Sequence, residues 1–124
     1  MKNFKKFQVK REKNLPFFVG DIRWDYEGLG ISLVSLDGYE KLRLLFDKTV
    51  YSYQVTPESY KPSCWIDSPE DYYPFYFSEN SDMINKLKED VDHVRDDKII
   101  HFMIVGIEDV IDVLTIDFPI ISKN

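Results

Sequence analysis

Two histidines and one cysteine are the chain's only side chains suited to act as a base or thiolate nucleophile near neutral pH. His101 lies within the apolar run Ile99-Ile100-His101-Phe102-Met103-Ile104-Val105. A strand of that composition belongs in the interior, where a histidine could serve as a general base; the surroundings of His101 are therefore a candidate pocket. No serine, cysteine or carboxylate stands at a known catalytic spacing from it, and a structural histidine with a hydrogen-bonded ring is the simpler expectation. His93 falls on the polar margin of a helical stretch and is expected at the surface. A two-histidine phosphoryl-transfer site would also need a cation beside the phosphate, and the chain's body offers no such cluster. Cys64 precedes Trp65, but Lys61 is the only cation in sequence that could lower its pKa. Asp67, Glu70 and Asp71 would raise it, so a packed or idle thiol is expected.

Carboxylates gather after the apolar run at Glu108, Asp109, Asp112 and Asp117. Oxygen-rich loops can hold Ca²⁺ or Mg²⁺, but the D-x-[DN]-x-[DN]-G spacing is missing. Asp109-Val110-Ile111-Asp112-Val113 reads as a turn followed by the outer face of a strand. The chain has no glycine-rich phosphate loop, CxxC, HExxH or GxSxG. No catalytic residue, metal ligand or cofactor is expected.

Aromatic residues beside acids form the more distinctive pattern. The stretch Cys64-Trp65-Ile66-Asp67-Ser68-Pro69-Glu70-Asp71-Tyr72-Tyr73-Pro74 holds one tryptophan, two tyrosines and three acids without a basic residue. A second group, Trp24-Asp25-Tyr26-Glu27, ends an early strand. Trp and Tyr provide large contact areas at modest entropic cost, and flanking acids steer a basic partner. Trp65, Asp67, Glu70, Asp71, Tyr72, Tyr73, Trp24, Asp25, Tyr26 and Glu27 are accordingly the candidate partner-binding residues. The competing expectation is that the loop aromatics tuck the loop onto the core.

These groups must be positioned by a chain of 124 residues, a length suited to one domain (1–124). Hydrophobic residues make up 44% and charged residues 31%, a globular balance. Nine Phe, eight Tyr and two Trp favour sheet. A lone cysteine excludes an intramolecular disulfide and suits a reducing compartment. No apolar run is long enough to span a bilayer, and no signal-peptide core follows the basic start. The expected location is cytoplasmic, with no membrane association.

The formal net charge is −6, unevenly spread. Residues 1–14 hold Lys2, Lys5, Lys6, Lys10, Arg11 and Lys13 against Glu12 alone, so the body is more acidic than the whole. Such a body repels nucleic acid and attracts basic proteins. The basic segment 1–14 is expected to be an edge strand or a frayed end.

Alternation predicts strands over Phe4–Val9, Phe17–Trp24, Ile31–Leu36, Glu40–Phe46 and Val50–Val55, the last three forming a meander. Asp37-Gly38 predicts a type I′ hairpin turn. Thr56–Tyr73, with Pro57, Pro62 and Pro69, predicts a long loop, followed by a short strand over Pro74–Phe77. Ser81 predicts a helix N-cap, with Met83, Ile84, Leu87, Val91 and Val94 as its apolar stripe and Arg95-Asp96-Asp97 as its end. Lys98–Val105 predicts the central strand and Val110–Ile116 its hairpin partner. Pro119 suits a chain leaving the sheet at its edge. The expected fold is α+β: mainly antiparallel sheet, a meander plus a C-terminal hairpin, with one amphipathic helix on a face.

The arrangement of Asp37-Gly38, Lys41-Leu42-Arg43-Leu44-Leu45-Phe46, the Trp/Pro-rich loop, Asn80-Ser81, Ile99-Ile100-His101-Phe102, Asp112-Val113-Leu114 and Pro119 resembles small bacterial proteins encoded beside polymorphic toxins, the immunity proteins. The resemblance spans roughly residues 20–120 and is one of strands and turns. It implies a non-enzymatic protein that binds and blocks a basic toxin domain. The alternatives are a small enzyme or ligand-binding protein using His101, and a housekeeping protein that oligomerises through an exposed strand. The sequence leaves the oligomeric state open.

Overall fold

A computed structural model describes residues 3–11, 13–57 and 72–123. Its strands are β1 (Lys5–Lys6), β2 (Phe17–Asp25), β3 (Gly28–Ser35), β4 (Lys41–Phe46), β5 (Val50–Pro57), β6 (Phe75–Ser78), β7 (Ile100–Val105), β8 (Asp109–Thr115) and β9 (Ile120–Lys123). Helix α1 (Asp82–Asp90) and a 3₁₀ turn (Asp92–Val94) lie between β6 and β7. The strands form two antiparallel sheets, ordered β1-β6-β7-β8-β5 and β2-β3-β4-β9. The protein is thus α+β and mainly antiparallel sheet, with one α-helix among the described residues. No helix among the described residues is long and apolar enough to cross a membrane.

Period-two alternation builds the core between the sheets. Leu29, Ile31 and Leu33 of β3 and Leu42, Leu44 and Phe46 of β4 point inward from one sheet. Phe75, Phe102, Ile104, Ile111 and Val113 meet them from the other. Ring contacts cross the interface, among them Phe46 with Phe102 at 5.6 Å and Phe17 with Phe75 at 6.2 Å.

The expected meander over 31–55 is not formed. The meander is β2-β3-β4, and β5 crosses to the other sheet to pair with β8. The physical reason lies in β8, whose last six residues are all buried. A strand buried on both faces needs a ladder partner on each side, and β7 supplies only one. The link Asp47–Thr49 is long enough to cross the roughly 10 Å between packed sheets. β9 then covers the edge of β4. Pro119 does not mark an exit from the sheet: it precedes β9, which rejoins the second sheet.

Other departures are local. The strand expected over Phe4–Val9 shrinks to Lys5–Lys6; Phe7 beyond it stacks on Phe118 at 5.0 Å. At Asp37-Gly38 only the glycine has positive φ, 80°, so the turn is not type I′. Asp37 instead accepts hydrogen bonds from the Ser35 hydroxyl at 2.6 Å and the Tyr39 amide at 3.1 Å, closing a wider loop. Gly28 has φ 124°, and a Cβ there would run into the Phe46 carbonyl oxygen. Helix α1 stops at Val91, earlier than its apolar stripe suggests. Asp90, Val91 and Asp92 are all weak helix formers, and the chain tightens into the 3₁₀ turn there.

The basic N-terminal segment is anchored at several points. The buried Arg11 guanidinium bonds Glu40 at 2.8 Å and the Leu15 carbonyl at 2.7 Å, and sits 4.1 Å from the Phe17 ring centre. Among the described residues its Nη1 has no hydrogen-bond partner, and the ring contact compensates in part. Tyr72 donates to the Val105 carbonyl at 2.5 Å and accepts from the Phe17 amide at 3.4 Å. Burial pushes its phenol up from 10.0 to about 12. Because the folded state holds this proton more tightly than the unfolded chain, the associated stability is complete below pH 10 and fades from 10 towards 12. Tyr72→Phe is expected to cost about 1 kcal/mol at neutral pH. The gap between wild type and variant should close as pH rises above 10, measured by urea denaturation across the alkaline range.

Candidate functional site

The outer face of the five-stranded sheet holds the chain's most concentrated polar chemistry. On β7, Phe102 and Ile104 face the inter-sheet core, so His101, Met103 and Val105 face outward. On β8, Val110, Asp112 and Leu114 share that outer face. Apolar residues cover most of it: Ile84, Val94 and Ile99 pack on Leu114, while Tyr72 and Tyr76 join Met103, Val105 and Val110. The β7–β8 ladder pairs Met103 with Asp112 and His101 with Leu114. One diagonal step therefore separates His101 from Asp112, within reach of an imidazole.

Ser81 arrives from the other side. It ends the short link after β6 and caps α1, accepting from the Ile84 amide at 3.2 Å. Its hydroxyl oxygen lies 2.7 Å from His101 Nδ1, and Asp112 Oδ1 lies 2.7 Å from His101 Nε2. Exposure is 4% for Ser81, 3% for His101 and 0% for Asp112. The Phe4 ring closes over the imidazole edge-on, with centroids 5.0 Å apart.

The hydrogen-bond roles follow from the groups themselves. Ser81 Oγ accepts from Ile84, so its own proton is available for Nδ1; Nε2–H then donates to the Asp112 carboxylate. All three side chains gain partners in one directed chain. This corrects the expectation for Asp112: it faces the covered side of the strand, not water. Glu108 and Asp117 are exposed, and Asp109 is half-buried. Among the described residues no group of His, Cys, Asp and Glu could hold a metal ion.

Serine, histidine and aspartate are the residue set of nucleophilic acyl transfer, but attack needs a free Oγ lone pair and room for a carbonyl. Here one of the two Oγ lone pairs is taken by the helix cap, and Ser81 is buried. A neighbouring depression, about 550 Å³, is lined by Asn3, Phe4, Lys5, Phe77, Ser78, Glu79 and Asn80, and neither Ser81 nor His101 lines it. In this closed arrangement the triad pins helix α1 to β7 and β8.

Sequence reasoning named His101 but missed both partners, because residues 81, 101 and 112 lie on three elements joined only by strand register. A signal was present. Asp112 is the only acid within Val110-Ile111-Asp112-Val113-Leu114, and a carboxylate in a strand buried on both faces needs a donor from the strand beside it.

The candidate partner-binding residues fall into three groups. Trp65, Asp67, Glu70 and Asp71, with Cys64 and Lys61, lie outside the described residues. Tyr72 is buried and its carbonyl accepts from Asn14 at 3.0 Å, while Tyr73 donates to the Phe7 carbonyl at 2.9 Å and accepts from the Val9 amide at 2.8 Å, so both hold the N-terminal segment in place. Trp24, Asp25, Tyr26 and Glu27 form the exposed tip of the β2–β3 hairpin, with Trp24 49% and Tyr26 96% exposed. Trp24 rests edge-on against Tyr53 of β5 at 5.2 Å, which continues the aromatic surface onto the other sheet. His93 is exposed, as expected.

Removing either partner of the buried His–Asp contact should leave a polar group unpaired. His101→Gln and Asp112→Asn are each expected to cost about 2–4 kcal/mol, and Ser81→Ala about 1–2 kcal/mol through loss of the cap. A double-mutant cycle of Ser81→Ala and His101→Gln in urea denaturation should give a coupling above about 0.5 kcal/mol; additivity would show that the two side chains act independently. Comparison with protein-family models, curated proteins and solved structures finds no match.

Proposed function

We propose that this chain is a non-enzymatic protein-binding module whose partner is a basic protein domain, most specifically a toxin domain that it neutralises. The observation that carries this reading is the β2–β3 hairpin tip, where Trp24 and Tyr26 stand exposed between Asp25 and Glu27. A tyrosine 96% exposed at a tip contributes little to folding, whereas exposed Trp and Tyr are the residues that dominate contact surfaces. The acids beside them, on a chain of net charge −6, favour encounter with a cationic surface.

The test is binding to the product of the gene beside this one, in titrations at low and high salt. Trp24→Ala with Tyr26→Ala should weaken binding by about 2 kcal/mol or more, chiefly through faster dissociation. Asp25→Asn with Glu27→Gln should slow association and flatten its salt dependence. A neighbouring product that is no toxin domain, or that fails to bind, would sink the reading.

A second reading has one observation in its favour, the Ser81–His101–Asp112 chain, which could act as a hydrolytic centre if the Phe4 cover moved aside. It predicts labelling of Ser81 by a fluorophosphonate ester, accelerated by Phe4→Ala and abolished by Ser81→Ala. Absence of labelling in folded wild type and in Phe4→Ala would leave the centre purely structural.

A further inference from the structure

Among the described residues the two sheets end in four edge strands, and three of them carry features that discourage pairing with another chain. β1 is two lysines long. β2 has a register irregularity between Val19 and Asp21 and carries Asp21, Arg23 and Asp25. β9 follows Pro119 and ends in Lys123. Short length, charges, bulges and proline are the usual protections of an edge. β5 differs. Its eight residues, Val50-Tyr51-Ser52-Tyr53-Gln54-Val55-Thr56-Pro57, include no charge, and six of them are valine, tyrosine, serine or threonine ahead of the terminal proline. Its irregularity lies at the start, between Val50 and Ser52, which leaves Ser52–Pro57 in regular register with β8. Among the described residues β8 is its only ladder neighbour. Gln54 and Val55 are exposed, with Val55 at 41%.

We infer that β5 pairs with β5 of a second copy of this chain, antiparallel about a twofold axis at Gln54. The choice of occupant rests on the strand's self-complementarity. An axis at Gln54 sets Tyr53 against the partner's Val55, and Ser52 against the partner's Thr56. The two Gln54 side chains meet on the axis. Aromatic with β-branched, hydroxyl with hydroxyl and amide with amide are favourable cross-strand pairs. No like charges oppose each other along the ladder, although the chain as a whole is strongly acidic. The rim adds apolar continuity, since Trp24, itself half-exposed, packs on Tyr53 beside the axis. Pairing would join the two five-stranded sheets into one continuous sheet, with the isologous contact that a twofold dimer requires.

The test uses the full chain and its exposed axis residue. Sedimentation equilibrium of wild type up to about 1 mM should show a monomer–dimer equilibrium. Gln54→Lys and Gln54→Glu each place like charges face to face on the axis, and each should weaken self-association about tenfold or more. Mixing the two variants should restore dimers, because the axis brings lysine against glutamate. Unchanged thermal unfolding at low concentration would confirm folded monomers; a variant that fails this check is replaced by Val55→Lys, for which the same weakening is expected. Wild type that stays monomeric overturns the inference. So do axis variants that dimerise as tightly as wild type, and a mixture that does not recover. Capture of a different protein by a monomeric wild type would also overturn it, while leaving the hairpin-tip reading intact.

Discussion

Strands β7 and β8 are mostly apolar and buried on both faces, and the rest of the fold answers that constraint. All six residues of β7 are buried, as are the last six of β8. One face is covered by the second sheet, through the phenylalanine contacts between Phe46 and Phe102 and between Phe17 and Phe75. The other is covered by α1, the 3₁₀ turn and the tyrosines Tyr72 and Tyr76. The edges need ladders as well, and β6 and β5 supply them. A single demand to hide two apolar strands from water thus decides the layer order and where β5 goes.

Within that apolar cover, the Ser81–His101–Asp112 chain gives specificity. Hydrophobic packing alone would tolerate small slips of α1 along the sheet. A histidine with both nitrogens bound, one to the helix cap and one to the neighbouring strand, accepts only one position for each element. The same closure covers this hydrolase-like residue set: its serine hydroxyl caps α1 and its histidine lies beneath Phe4. The exposed hairpin tip and the uncharged edge of β5 lie together, joined by the Trp24–Tyr53 contact into one side of the molecule.

Legibility in the sequence tracked how local the determining interaction was. Leu42, Leu44 and Phe46 announced an inward face by alternation, and the structure buries all three. Ser81 announced a cap three residues before Ile84, and its hydroxyl accepts from that amide. Trp24 and Tyr26 showed their position at a strand end directly. Asp112 was misplaced because the alternation around it is the same whether the second face meets water or a helix. The β3-β4-β5 meander was misplaced because a short polar link can close a hairpin or cross between sheets, and only the burial of β8 decides which. Asp37-Gly38 fits two turn types, and the Ser35 hydroxyl selects between them.

The sequence by itself determined strands β2 to β8, the helix cap, the β2–β3 tip with its acids and aromatics, and the isolated histidine in an apolar strand. Each depends on residues within a few positions of one another, where backbone periodicity and turn chemistry act. The tertiary structure alone decided the split into two sheets, the crossing of β5, and the meeting of Ser81, His101 and Asp112. Those depend on strand register and layer packing, which bring together residues from separate elements and carry no fixed spacing along the chain.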